Sequence, residues 1–253
     1  MTAAMTDVAL ARHIATTAGH VLLTLQRSGL FEGKALGKAG DRTANAFIME
    51  ALASQRPDDA ILSEEEKDSA ARLSSHRVWI VDPLDGTREY GEGRTDWAVH
   101  VALAIDGAPV IGAVALPGLD LTLCSETSPQ APPGARQPRM LVSRTRPAGE
   151  ALAVADALGA ALVPMGSAGA KAMAIIRGEA DIYLHSGGQY EWDSCAPVAV
   201  AIAAGLHVSR IDGSPLLYNR ANPYLPDLLI CRKEEAERLL DLVKQANAAP
   251  AAG

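Results

Sequence analysis

Val78-Trp79-Ile80-Val81-Asp82-Pro83-Leu84-Asp85-Gly86-Thr87 runs four large apolar residues straight into a cluster of hard oxygen donors. The apolar run reads as a β-strand covered on both faces, and Pro83, which lacks a backbone donor, predicts that the ladder stops there. Asp82 and Asp85 then leave the strand end together. Two carboxylates three residues apart can share one divalent cation or bridge two, and a tight turn lets the Leu84 carbonyl join them. Gly86 allows the backbone to approach an anion, and the Thr87 hydroxyl offers a donor. By itself the segment could equally be a solvated Asp-Gly turn after a strand. Carboxylates elsewhere decide between the two.

Upstream, the short apolar run Ala60-Ile61-Leu62 ends in Ser63-Glu64-Glu65-Glu66, which puts Glu64 first after a strand and leaves Glu65 and Glu66 as a solvated acidic face. Asp41 precedes a helical pattern over 43–53 and follows a loop over 30–40 containing three glycines, so it reads as an N-cap or as a site residue. Downstream, Asp193 in Trp192-Asp193-Ser194 opens another apolar helical run and can likewise be a plain cap. Glu64, Asp82, Asp85 and Asp193 thus all stand at strand or helix ends. Magnesium takes oxygen ligands octahedrally and keeps several waters, which suits such a set together with a substrate phosphate. Two such ions roughly 3.5–4 Å apart hold both the attacking and the leaving oxygen of an in-line phosphoryl displacement.

The rest of the chain bounds the fold. With 253 residues, 48% of them hydrophobic, it can build one large domain or two packed lobes. Thr6 caps a first helix whose Val8, Ala11, Ala15, Ala18, Val21, Leu22 and Leu25 recur at helical spacing up to Ser28-Gly29. Residues 97–105 alternate large and small side chains, as a long sheet strand does, and His100 within it reads as a core or edge histidine. Asp106-Gly107 predicts an antiparallel hairpin, with a slightly extended turn, to a strand over 110–116; 121–124 can add another. Residues 125–138 have linker composition. Beyond them strands at 140–143, 161–164, 180–184 and 228–231 alternate with helices at 148–158, 168–177, 194–204 and 234–246, which predicts a mixed or parallel sheet with helices on it. The expected organisation is an α+β lobe over 1–137 carrying most ligands and an α/β lobe over 138–253, together one catalytic unit.

An excess of 30 acidic over 23 basic residues, net charge −7, disfavours a nucleic-acid polymer or an anionic membrane as partner. The three cysteines, Cys124, Cys195 and Cys231, are too scattered for a zinc or redox pair. No basic leader precedes an apolar core, and no window approaches the roughly 20 apolar residues of a membrane span, so the cytoplasm is expected.

An upstream Asp41, the pair Glu64-Glu65, the segment from Asp82 to Thr87 and Trp192-Asp193 follow one another here in the order of the inositol monophosphatase superfamily signature, which the sequence resembles. Within it the chain looks most like the CysQ-type phosphatases of 3′-phosphoadenosine 5′-phosphate, through Gly166-Ser167-Ala168-Gly169-Ala170-Lys171 and Trp192-Asp193. The resemblance implies a layered α/β/α/β/α sandwich, commonly a homodimer, sensitive to lithium. It implies that Glu64, Asp82 and the Leu84 carbonyl hold one magnesium and Asp82, Asp85 and Asp193 a second, with Glu64 near a third. Asp41 and Thr87 would orient and deprotonate the attacking water, and the backbone of Gly86-Thr87 would bind the phosphate. The glycine-rich helix start adds an expectation of its own: Ser167 donating to a nucleotide and Lys171 facing its second phosphate. One departure is Leu36-Gly37-Lys38-Ala39-Gly40, where Lys38 replaces an expected threonine. The implied activity is hydrolysis of 3′-phosphoadenosine 5′-phosphate to AMP and phosphate, with inositol monophosphate or fructose 1,6-bisphosphate as rival small-molecule substrates. A metal-dependent sensor without catalysis is the rival from another class, and it needs no water-activating pair.

Overall fold

The computed structural model describes residues 5–127 and 129–248. Ten strands form two five-stranded sheets. In the first, β1 (Ala60–Ser63), β2 (Arg77–Asp85), β3 (Ala98–Ile105), β4 (Ala108–Leu116) and β5 (Leu121–Cys124) lie in sequence order, with β1 parallel to β2 and the rest antiparallel. In the second, the order is β7 (Ala161–Met165), β6 (Arg139–Ser143), β8 (Ile182–Tyr190), β10 (Tyr224–Cys231) and β9 (His207–Ser209), a mixed sheet.

Side-chain alternation sorts these strands into layers. Trp79, Val81, Trp97, Val99, Val101 and Leu103 face α1 (Asp7–Arg27) and α2 (Gly33–Gln55), whose Leu10, Ile14, Leu22, Ile48 and Leu52 complete one core. The opposite face presents Val78, Ile80 and the small Ala98, Ala102 and Ala104 to a middle layer. That layer is α5 (Ala168–Ile176) and α6 (Glu191–Ala203), and beneath it lie Leu141, Tyr183, Leu228 and Ile230 of the second sheet. The outer face of that sheet is closed by α4 (Gly149–Leu158) and α7 (Ala236–Ala248) through Val154, Leu184, Leu229, Leu239 and Val243. The succession is α/β/α/β/α, the layering that the resemblance implies.

Several local expectations change. The strand does not stop at Pro83: β2 continues to Asp85, which pairs with Ala98 beyond an irregularity spanning Asp82 to Asp85. Pro83 therefore sits where the ladder is already broken, a place that tolerates its missing N–H. The turn at Asp106-Gly107 is the tight two-residue form, Ile105 pairing with Ala108 and both turn residues at positive φ. Helix α1 is long and apolar enough by length and composition to cross a membrane, contrary to the sequence expectation; its apolar face is packed into the core.

The largest change is at 30–40, expected as a loop and found as the start of α2, which leaves Asp41 in a helix interior. The glycines are there for contact. A Cβ on Gly37 would stand 2.6 Å from Thr87 Cγ2, and one on Gly40 2.8 Å from the Tyr90 ring, so only glycine lets α2 lie against the short helix α3 (Thr87–Gly91).

Candidate active site

The broken end of β2 and the first turn of α6 meet. Carboxylate oxygens of Asp82, Asp85 and Asp193 lie within 4.8 Å of one another. Asp82 is 1% exposed and accepts from Leu84 N at 3.0 Å, so its own turn orients it. Asp193 is the third residue of α6 and its Oδ2 accepts from Tyr190 N at 2.6 Å. It therefore caps from inside the helix rather than at its cap position. Glu64 follows β1 in a turn braced by Asn45 of α2, which accepts from Ser63 Oγ at 2.8 Å and donates to Glu66 Oε1 at 2.7 Å. Glu66, expected to be merely solvated, is part of that brace.

Asp85 is the most heavily supported member. Its Oδ2 accepts from Ser167 Oγ at 2.5 Å and from Gly169 N at 2.7 Å, and faces His100 Nε2 at 3.3 Å in an ionic contact whose direction falls short of a hydrogen bond. His100 is fully buried, with Nδ1 3.0 Å from the Trp192 carbonyl, and so ties β3, β2 and α6 together. The sequence reads it as a core or edge histidine. The available signal was that it is the one titratable residue on the small face of β3, between Ala98 and Ala102. A Cβ on Gly169 would come within 2.1 Å of His100 Nε2, which explains a glycine at the start of α5.

Ser167 and Lys171, expected at the substrate, are also engaged by the protein's own groups. The Ser167 hydroxyl proton is committed to Asp85, its oxygen caps Ala170 N at 3.0 Å, and its backbone holds φ at +44°. The anion at the start of α5 is thus a side chain of the protein. Lys171 is 6% exposed, and its Nζ donates to the carbonyls of Gly166 at 3.1 Å and Ser167 at 2.8 Å, lying over the Tyr183 ring. It braces the loop that braces Asp85.

Asp41, although in a helix interior, meets its expected neighbour. The Thr87 hydroxyl lies 3.4 Å from Asp41 Oδ1 and 3.1 Å from the Leu84 carbonyl, so one proton bridges the acid and the strand end. A cavity lined by Lys34, Lys38, Asp41, Glu65 and Thr87 opens on this side, and Lys38, at the departing position, borders it. Gly86, with φ at +91°, turns the chain from β2 into α3.

Electrostatics describe a site built for cations. Burial, then the Asp193 charge, push Glu64 up to about 7, even though the residue as a whole is exposed. Burial and Asp85 raise Asp193 to about 6; burial and the charge of Glu65 raise Asp41 to about 7 against the hydrogen bond from Thr87. Asp82 is raised strongly by burial and by Glu64, Asp85 and Asp193. Asp85 is the exception: burial opposes ionisation, but His100, Ser167 and Gly169 hold it below the usual carboxylate value. An all-oxygen set with unneutralised negative charge fits one or more hard divalent cations.

A sign follows for stability. Carboxyls raised in the folded state stabilise it while protonated, and that contribution disappears as pH rises through the folded values. The metal-free protein should lose melting temperature from about pH 4.5 to about pH 7, and millimolar magnesium at pH 7.5 should restore it. Differential scanning calorimetry with EDTA and with magnesium checks this; a flat or rising metal-free profile contradicts the charge assignment.

The profile of the inositol monophosphatase family matches residues 8–248. The chain is 47% identical over 258 residues to a 3′-phosphoadenosine 5′-phosphate phosphatase of Mycobacterium leprae, covering 96% of this chain and 95% of that one. It is 50% identical over 242 residues, 90% of each, to a protein of the same name from Mycobacterium tuberculosis. The crystal structure of CysQ from Bacteroides thetaiotaomicron shares its fold with a TM-score of 0.78 at 24% identity, over 90% of this chain and 97% of that one.

Proposed function

The chain belongs to the inositol monophosphatase family, whose members are metal-dependent phosphatases, and we propose that it is a magnesium-dependent phosphomonoesterase that converts 3′-phosphoadenosine 5′-phosphate to AMP and phosphate. Support for the chemistry comes from one observation, the gathering of Asp82, Asp85 and Asp193 beside the Asp41–Thr87 pair. Support for the substrate comes from the names of relatives that match nearly the whole chain.

Glu64, Asp82 and the Leu84 carbonyl would hold one magnesium, and Asp82, Asp85 and Asp193 a second. When bound, these ions supply an acidified water and neutralise charge on the phosphoryl oxygens. Asp41 accepts the Thr87 hydroxyl proton, and Thr87 takes one from the attacking water, a general-base relay. The amides of Gly86 and Thr87 face the phosphate, and no covalent intermediate on the protein is needed. His100, Ser167 and Gly169 keep Asp85 ionised. Three ligands come from the first sheet's strand ends and one from α6, so both lobes work as one catalytic unit.

On the same reading the protein is a cytoplasmic homodimer inhibited by lithium; its three cysteines, all buried and unpaired, suit a reducing compartment. The test is phosphate release from 3′-phosphoadenosine 5′-phosphate, inositol monophosphate and fructose 1,6-bisphosphate, with magnesium, with EDTA and with lithium. The expected result is a kcat/KM at least about tenfold higher for the nucleotide, lost in EDTA. A lead for either rival substrate overturns the substrate; turnover of none would favour the sensor.

A further inference from the structure

Thr87 and Arg88 border two cavities. One, of about 460 Å³, has Ser143, Ser167 and Lys171 of the second lobe in its wall. The other, of about 550 Å³, has Asp41 in its wall and opens between α2 and α3. The two differ in chemistry. On the proposed mechanism water is activated on the Asp41–Thr87 side, so an in-line displacement places the leaving oxygen, and with it the rest of the substrate, on the other side.

The cavity on the water side is rich in cations. Lys34, Lys38 and Arg42 follow one another at four-residue intervals on α2, and Arg88 joins them from α3. Like charges four residues apart repel along a helix, so this stripe does not serve the stability of α2. None of the four has a carboxylate oxygen within 4.0 Å among the described residues. Three acids share the wall, but Glu92 already receives Arg144 at 2.8 Å, which leaves Asp41 and Glu65 against four cations in a chain of net charge −7. The stripe is also fixed relative to the reacting centre. A Cβ on Gly37 would stand 2.6 Å from Thr87 Cγ2 and one on Gly91 2.6 Å from the Gly33 carbonyl oxygen, so the turn carrying Lys34 and Lys38 is pinned against α3.

In-line hydrolysis supplies an anion to this cavity. The new P–O bond forms on the Asp41–Thr87 side and the ester P–O bond breaks on the opposite side; one proton of the water passes to the relay, and the ester oxygen takes one from solvent. Phosphorus inverts, and the three remaining phosphoryl oxygens swing toward the departing alcohol's side as the phosphorus itself shifts toward the incoming oxygen. Inorganic phosphate is thus bonded on the water side and free of the alcohol. We propose that the cavity bordered by Lys34, Lys38 and Arg42 is an exit site for inorganic phosphate, separate from the path of the alcohol product. The inference rests on the phosphomonoesterase reading and on Asp41–Thr87 as the water side, not on the nucleotide as substrate. It gives Lys38, the departure from an expected threonine, a use of its own.

The test is inhibition of the magnesium-loaded enzyme by sulfate, a tetrahedral dianion that is not a product, with substrate varied at constant ionic strength. Sulfate on the metal positions competes with substrate and raises only the apparent KM, whereas sulfate in the exit site binds alongside substrate, obstructs the water side and lowers the apparent kcat. The wild type should show both effects. In Lys38→Ala the inhibition constant for the kcat effect should rise roughly 3- to 10-fold, the range of one exposed charge meeting an anion, and it should rise further in Lys38→Glu. Lys38→Arg should keep it near the wild-type value, and the constant for the KM effect should change far less in all three variants. Purely competitive sulfate in the wild type, a kcat effect indifferent to Lys38→Glu, or equal rises in both constants overturns the exit site and leaves the phosphatase reading intact. Turnover of none of the three candidate substrates overturns both.

Discussion

Asp82→Asn is expected to abolish turnover, lowering kcat/KM by roughly 10³-fold or more, while leaving the metal-free fold as stable as the wild type or more so. The two effects share one cause. Asp82 is buried at the centre of the cluster, and Glu64, Asp85 and Asp193 all push its carboxyl toward protonation, so in the absence of cations its charge opposes folding. Asparagine keeps the volume and the acceptor for Leu84 N but removes the charge that both metal positions would share. The metal-free melting temperature should therefore hold or rise, and the magnesium-dependent rise should shrink. Near-normal turnover by the variant, or by metal-stripped wild type, would sink the mechanism. A metal-free variant that melts well below the wild type would instead show that Asp82 serves the fold.

Asp41→Asn should lower kcat by about 10²- to 10⁴-fold, the usual worth of a general base, with KM and melting temperature little changed. The structure makes this a cleaner experiment than the sequence implied. Were Asp41 a cap, the substitution would also report on capping; inside α2 it does not, and asparagine and aspartate have similar helix propensities. Its carboxyl, raised to about 7 chiefly by burial, accepts a hydrogen bond only from the Thr87 hydroxyl among the described side chains, so loss of that acceptor isolates the relay. A stable variant with wild-type kcat would leave Asp41 as a helix residue beside the site. Thr87→Ala should behave in the same way, because it removes the other half of the relay.

The acid-bearing element ends and the two faces of the strands were legible because they depend on local order. Apolar runs that end in acids, at 60–64 and 78–85, announce strands whose ends carry charge, and a strand end is where side chains escape the ladder. The large-small alternation of β3 likewise announced its two faces: bulky residues against α1 and α2, alanines where α6 comes close. Residues 30–40 were not legible. Three glycines in eleven residues normally mean a loop, and only the approach of α3 to α2 makes a glycine-bearing helix the better solution, since the lost propensity of about 1 kcal/mol per glycine is offset by packing that no other side chain allows.

The sequence by itself determined the family, through hard oxygen donors at element ends in an order that matches it. Tertiary structure alone decided what each donor touches. Ser167 and Lys171 read as substrate ligands because a helix start with small residues invites an anion, and the fold also brings Asp85 to that helix start from 82 residues away. His100 gained its place in the same way, from Trp192 across the middle layer. The physical reason is common to all three. A polar side chain's function depends on whether its hydrogen-bonding capacity is already spent, and the partners that spend it lie far away in sequence.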